Sequence, residues 1–207
     1  MPAHFSEDEQ AQIYESLMAA GLAIAREAGL RKLTVARAAR RAGIATGSFY
    51  SFYRSKEEFV VELIEESARV MDHRFAEALA GRPCMSPEEF LGFLGECISA
   101  DFDILSSLGI DDLMWLRDHL ADASCFSTSR QRARVEAWLA RVAGVGDSVD
   151  AGVLLNLIKL VYVVRENGAM LDEGSADSTR AVLMRAIGAC LSGELAVDSS
   201  PVAEACR

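Results

Sequence analysis

The sequence is short of proline, cysteine and histidine, and each shortage removes a class of protein. Only four prolines occur in 207 residues, so long helices are left unbroken. Cys84, Cys97, Cys125, Cys190 and Cys206 are odd in number, scattered, and form no Cys-x-x-Cys pair. That usage argues against a disulfide framework or a zinc site and suits a reducing cytosol. His4, His73 and His119 have no local nucleophile or ligand cluster beside them. Asp118-His119-x-x-Asp122 has only a loose metal spacing and reads as a surface helix edge, so no metal, cofactor or enzymatic constellation is expected. Glu65-Glu66 and Asp111-Asp112 read as solvated charge. Long apolar runs are missing too. The richest, Val153 to Val164, is interrupted by Asn156 and Lys159 and is too short for a bilayer, so no membrane partner is expected. Met1 to Asp8 shows no basic segment followed by an apolar one, so no secretory leader is expected, and the expected compartment is the cytoplasm.

Basic charge is scarce overall, with 21 Lys and Arg against 31 Asp and Glu, a net charge of −10. Globally that disfavours a polyanionic partner, but the distribution is uneven. Residues 26–56 carry eight basic side chains and one acid, Glu27, whereas residues 1–25 carry four acids and no Lys or Arg. A basic island in an acidic chain marks where an anionic partner can touch, while the remaining acid restricts the docking pose.

What the sequence has in abundance is helical periodicity. Hydrophobic residues make up 51%, and no convincing alternating strand pattern is found. Ser6 and Glu9 have capping-box spacing, Ile13, Leu17, Ala20 and Ile24 form one stripe, and Gly29 stops that helix. A short helix is expected from Thr34 to near Gly43, and a third over about residues 45–52. Ser55 heads a long helix with Val60, Leu63, Ile64, Met71, Phe75 and Leu79 inward. Further helices are expected at about 87–106, 110–121, 128–143, 148–166 and 177–193. The expected fold is all-α. A three-helix N-terminal helix-turn-helix domain (1–54) joins a larger helical ligand-binding and dimerisation domain (55–195), followed by a flexible tail (196–207).

The two short helices meet at Gly43, with Ala39 and Ala42 small enough for close contact and Ile44 and Phe49 available for a miniature core. Arg37, Arg40 and Arg41 share a face that either follows a phosphate backbone or keeps the helix soluble. Thr46, Gly47, Ser48 and Tyr50 are small or hydroxylated, as suits a helix in the major groove. Lys56 opens the long helix, an unfavourable place for a cation unless an anion joins it.

The run Thr34-Val35-x-x-x-Ala39-x-x-Ala42-Gly43-Ile44-x-x-Gly47-Ser48-Phe49-Tyr50-x-x-Tyr53-x-Ser55-Lys56-Glu57-Glu58 resembles the DNA-binding signature of the tetracycline-repressor (TetR) family. The resemblance covers roughly residues 8–66. It implies that Thr34, Tyr50 and Lys56 contact phosphates and that Thr46, Gly47 and Ser48, with Arg37 as a further candidate, face base edges. It also implies homodimers on palindromic double-stranded operators, usually for repression released by a small molecule. Three positions depart from the family pattern. Ala45 stands where a capping Ser or Thr is usual, Tyr53 where phenylalanine is usual, and Ala38 where a larger aliphatic is common.

The helix containing Val153 to Val164 is apolar on nearly every side, which calls for burial by its own domain and by a second copy. With the stripe Val182, Leu183, Ala186, Ile187, Cys190 and Leu191 it would form a four-helix dimer interface. Phe93, Cys97, Phe102, Met114, Trp115, His119, Trp138 and Tyr162 are candidates for an effector pocket, though an ordinary core uses the same residue types. Two other readings stand beside the ligand-released regulator: a thiol switch at Cys97 or Cys125, and an interaction protein that no longer binds DNA.

Overall fold

The computed structural model describes residues 6–99, 104, 108–120, 127–145, 149–166 and 171–195. Phe102, Cys125, Cys206 and the expected tail at 196–207 lie outside them. The described residues form helices α1 (Glu7–Ala28), α2 (Val35–Arg41), α3 (Thr46–Phe49), α4 (Lys56–Leu79), α5 (Pro87–Ser99), α6 (Ile110–Leu120), α7 (Thr128–Leu139), α8 (Ala151–Glu166) and α9 (Ala176–Leu191). Among these residues the only β-type pairing is an isolated bridge between Met85 and Val142. The chain is all-α.

Local chemistry sets most of the boundaries. At α1 the Ser6 hydroxyl accepts from the Glu9 amide while the Glu9 carboxylate accepts from the Ser6 amide, which satisfies two otherwise free donors. Gly29 ends the helix at φ 77°, where a side chain is disfavoured. The same reciprocal cap recurs before α5 between Ser86 and Glu89. Two helices are shorter than the periodicity suggests. α3 stops at Phe49 because Ser51 and Phe52 donate three residues back, to Ser48 and Phe49, and tighten the chain into a turn. α7 stops at Leu139 because the Met85 backbone takes over, its N–H donating to Arg141 O (2.9 Å) and its carbonyl accepting from Ala143 N (2.8 Å).

Two buried clusters fill the molecule, and α4 runs through both. Its first half gives Phe59, Val60, Leu63 and Ile64 to a core shared with α1, α2, α3 and α6. Its second half gives Met71, Phe75 and Leu79 to a core shared with α5, α7, α8 and α9. Between them the buried Ser67 hydroxyl accepts from the Ile104 amide at 3.1 Å. In the second core Phe75 packs on Trp138, whose indole N–H donates to Asp72 at 3.1 Å.

In the first core Phe49 lies against Tyr53 and Phe59, with ring centroids 5.5 and 5.3 Å away. Tyr53 is only 6% exposed, its hydroxyl is buried without a hydrogen-bond partner, and burial pushes its phenol well above the ordinary value. A buried hydroxyl left unpaired costs about 1–3 kcal/mol. Tyr53→Phe is therefore expected to stabilise the chain by about 1 kcal/mol, raising Tm by about 2–4 °C. Thermal and urea melts measure this, and a lower midpoint would mean that the hydroxyl is satisfied in solution.

Candidate nucleic-acid interface

Thr34 sits at the N-cap of α2, exposed, with its hydroxyl accepting from the Arg37 amide at 3.2 Å. Gly43, at φ 74°, makes the turn towards α3, and the Ile44 amide donates to Ala39 O at 3.0 Å to close it. α3 then presents Thr46 and Gly47 to solvent, with Ser48 half-buried and Phe49 pointing inward. Ala45 caps α3 with no side-chain hydrogen bond. A Cβ added at Gly47 would meet nothing within 4 Å, so nothing inside the chain demands glycine there. Tyr50 is 57% exposed, and its ring stands edge-on to Phe49. Thr34, Thr46, Gly47 and Tyr50 thus lie on the outer edge of one small bundle, with Phe49 as its inner anchor.

The basic residues are less free than their number suggests. Arg41 forms a bidentate pair with Glu27, both contacts at 2.6 Å, and a nitrogen of the half-buried Arg37 lies 4.0 Å from the same carboxylate. The Arg41 hydrogen bonds hold the Glu27 carboxyl below its ordinary range. Lys56, at the first turn of α4, lies with Nζ 4.2 Å from the centre of the Trp115 ring on α6. Trp115 in turn stacks on His119 with centroids 4.6 Å apart. Burial pushes the Lys56 ammonium below its ordinary value, against the pull of Glu57 and Asp112. The aromatic face provides from within the chain part of what the sequence suggested an anion must supply.

Residues 17–63 match the family model for bacterial regulatory proteins of the tetR family. The matched segment runs from the middle of α1 through α2 and α3 into α4, and the TetR-family likeness is shown for that segment. Among solved structures the chain resembles the transcriptional regulator FadR from Bacillus subtilis, determined in complex with stearoyl-CoA. The identity there is 13%, the TM-score 0.52, and the match covers 86% of this chain and 98% of that one. It also resembles the ketosteroid transcriptional regulator KstR2 of Mycobacterium tuberculosis at 20% identity and TM-score 0.50, over 93% and 98% of the two chains. At these identities the likeness is one of fold. No curated protein shows a significant sequence match.

Beyond the matched segment, the effector candidates are distributed unevenly. Trp138 and Tyr162 line a cavity of about 530 Å³ between α4, α5, α6, α7 and α8. Phe93 and Cys97 are buried in the second core without lining that cavity. Met114 (49% exposed) and His119 face solvent, and Trp115 is engaged with Lys56. Phe102 lies outside the described residues. The sequence reading did not single out Leu94, Leu116, Gln131, Arg134, Leu155 or Lys159, all of which line the cavity. Their spacing is that of any core position.

Asp112 is a correction. The sequence suggests solvated charge there, yet the residue is 6% exposed and accepts from the Arg31 amide at 3.3 Å. A Cβ at Gly29 would fall 2.8 Å from its carboxylate, so the absence of a side chain there lets α6 approach the end of α1. Glu65 and Glu66 are half-buried and paired, with Arg130 at 3.0 Å and Arg69 at 2.7 Å. Cys97 is buried, and burial pushes the Cys190 thiol up, which disfavours the thiolate there. Among the described residues no His, Cys, Asp and Glu group gathers as a metal site, and no helix is long and apolar enough to cross a membrane.

Glu27 is the one acid in the basic island and occupies Arg41. Glu27→Gln removes that negative charge and loosens the arginine. DNA affinity is expected to rise severalfold at low salt, with a steeper salt dependence. Fluorescence anisotropy over a salt series reads both; an unchanged slope would mean that Arg41 stays away from the duplex.

Proposed function

We propose that the chain acts in the cytoplasm as a homodimeric repressor that reads a palindromic operator with α3 and leaves it when a small apolar or aromatic molecule binds. The observation that carries this reading is the solvent-facing edge Thr34, Thr46, Gly47 and Tyr50, set in a segment with eight basic residues and one acid. Thr34, Tyr50 and Lys56 would hold phosphates; Thr46, Gly47, Ser48 and Arg37 would face base edges. The open space over Gly47 suits a backbone approached closely by a duplex.

Dimerisation is supported by α8 and α9, which pack on each other yet leave Leu160 (48% exposed) and Val182 (53% exposed) in water. Two copies joined there would cover both and present two α3 helices to successive half-sites.

The route from effector to duplex runs through α6. On one side it carries Leu113, Leu116, Arg117 and Leu120, which line the cavity. On the other it carries Asp112, bonded to Arg31, and Trp115, beneath Lys56. A ligand that favours a shifted α6 disturbs these contacts and the half-site spacing, which is a population shift towards the DNA-free geometry.

Binding to the fragment upstream of the chain's own gene tests the reading, with affinity falling steeply as salt rises. Lys56→Ala is expected to weaken all operator sequences alike, whereas Ser48→Ala changes preference at particular bases. Uniform losses from both would remove Ser48 from the base-reading set. Leu160→Glu combined with Val182→Glu should yield monomers by light scattering and reduce operator affinity more than tenfold. A dimer that survives both changes would place the interface elsewhere.

A further inference from the structure

The cavity between α4 and α8 is mostly apolar, walled by residues such as Leu94, Leu116, Leu120, Val135, Leu155 and Ile158. Its polar lining is lopsided. Arg117, Arg134 and Lys159 contribute cations and Gln131 an amide, and no Asp or Glu lines it among the described residues. This occurs in a chain with ten more acids than bases, whose arginines elsewhere are often occupied by carboxylates. Arg117 is itself paired with Asp118 at 2.8 Å. Arg134 and Lys159 have no ion-pair partner among the described residues.

Arg134 is the more telling of the two. Its Nε is buried without a hydrogen-bond partner, and its guanidinium lies over Trp138 at 5.5 Å from the ring centre. A charged donor in that condition is costly, and a planar two-oxygen acceptor satisfies one edge of a guanidinium with two parallel bonds. Lys159, on the facing helix, is exposed as a whole residue yet also lines the cavity, and partial loss of water pushes its ammonium below the ordinary value. On the far side of Arg134 and Trp138 lies a groove with its own acids, Glu65 and Asp72, already bonded to Arg130 and Trp138. Arg134 and Trp138 border both spaces, and neither of those acids lines the apolar one.

We infer that this cavity takes an apolar acid, a hydrophobic body bearing one carboxylate, with its head between Arg134 and Lys159 and its body among the leucines. The inference deepens the regulator reading, since it rests on this cavity being the effector site and names the effector's class. About 530 Å³ is within the range of sites that enclose a molecule of that size.

Calorimetric titration of the full chain without DNA tests it, using dodecanoate, dodecanol and dodecyltrimethylammonium below their micelle concentrations. Dodecanoate is expected to bind at least tenfold tighter than dodecanol, and the ammonium compound not to bind. Arg134→Gln and Lys159→Gln should each weaken dodecanoate about tenfold while leaving dodecanol unchanged, and Arg134→Lys should lose less than Arg134→Gln. If Arg134→Gln lowers the melting temperature too far to titrate, Lys159→Gln decides alone. The proposal is overturned if dodecanoate fails to bind, if acid and alcohol bind equally, if the cation binds best, or if the substitutions leave the preference for the acid intact. Because no duplex is present, these outcomes leave the operator test untouched. A chain that takes dodecanoate but ignores DNA would fail only the regulator reading.

Discussion

Burial of Phe49 is the contact on which the exposed edge of Thr46, Gly47 and Tyr50 depends. A four-residue helix such as α3 lacks the length to be stable alone, because nucleation fixes several residues for very few hydrogen bonds. Its position comes from one ring inserted among Tyr53, Phe59 and the inner faces of α1 and α4. Once Phe49 is seated, Gly47 and Tyr50, two positions before it and one after, turn outward, while Thr46 is exposed at the first position of the helix. Exposure of Gly47 and Tyr50 is thus the reverse side of a packing constraint.

That constraint is shared with the rest of the molecule through α4 and α6. α4 supplies side chains to both buried clusters, so neither core forms without fixing part of the other. α6 adds a second tie of different chemistry. Its Leu116 and Leu120 belong to the same core as Phe49, its Asp112 holds an amide at the end of α1, and its Trp115 lies under Lys56. The start of α4 and the cavity therefore both lie against α6.

Much of this was legible in the sequence. Caps at Ser6, Thr34 and Ser55 place helix starts, Gly29 and Gly43 place turns, and the spacing around Phe49 carries the family resemblance. These are local signals, in which the residues that cooperate lie within a few positions of one another. Asp112 and Trp115 escaped because their partners, Arg31 and Lys56, are remote in the chain, and nothing nearby distinguishes a buried acid from a wet one. The cavity escaped for a related reason. Leu94, Arg134 and Lys159 converge from three helices, and an apolar residue beside a void has the same helical spacing as one in a filled core. Tyr53 is visible in the sequence as a departure from phenylalanine, and only the packed core reveals that its hydroxyl has no partner.

The backbone clip at Met85 has a mechanical consequence. By exchanging hydrogen bonds with Arg141 and Ala143, it fastens the segment just beyond α4 to the end of α7, at the opposite end of α4 from Lys56. A rod fastened at one end has a fulcrum there. At about 1.5 Å per residue, the 24 residues of α4 make an arm of about 36 Å, so a tilt of about 5° sweeps its free tip through about 3 Å. Such a displacement is comparable to the length of a hydrogen bond, so a change too small to repack the distal core is large enough to unseat Lys56 from any fixed target.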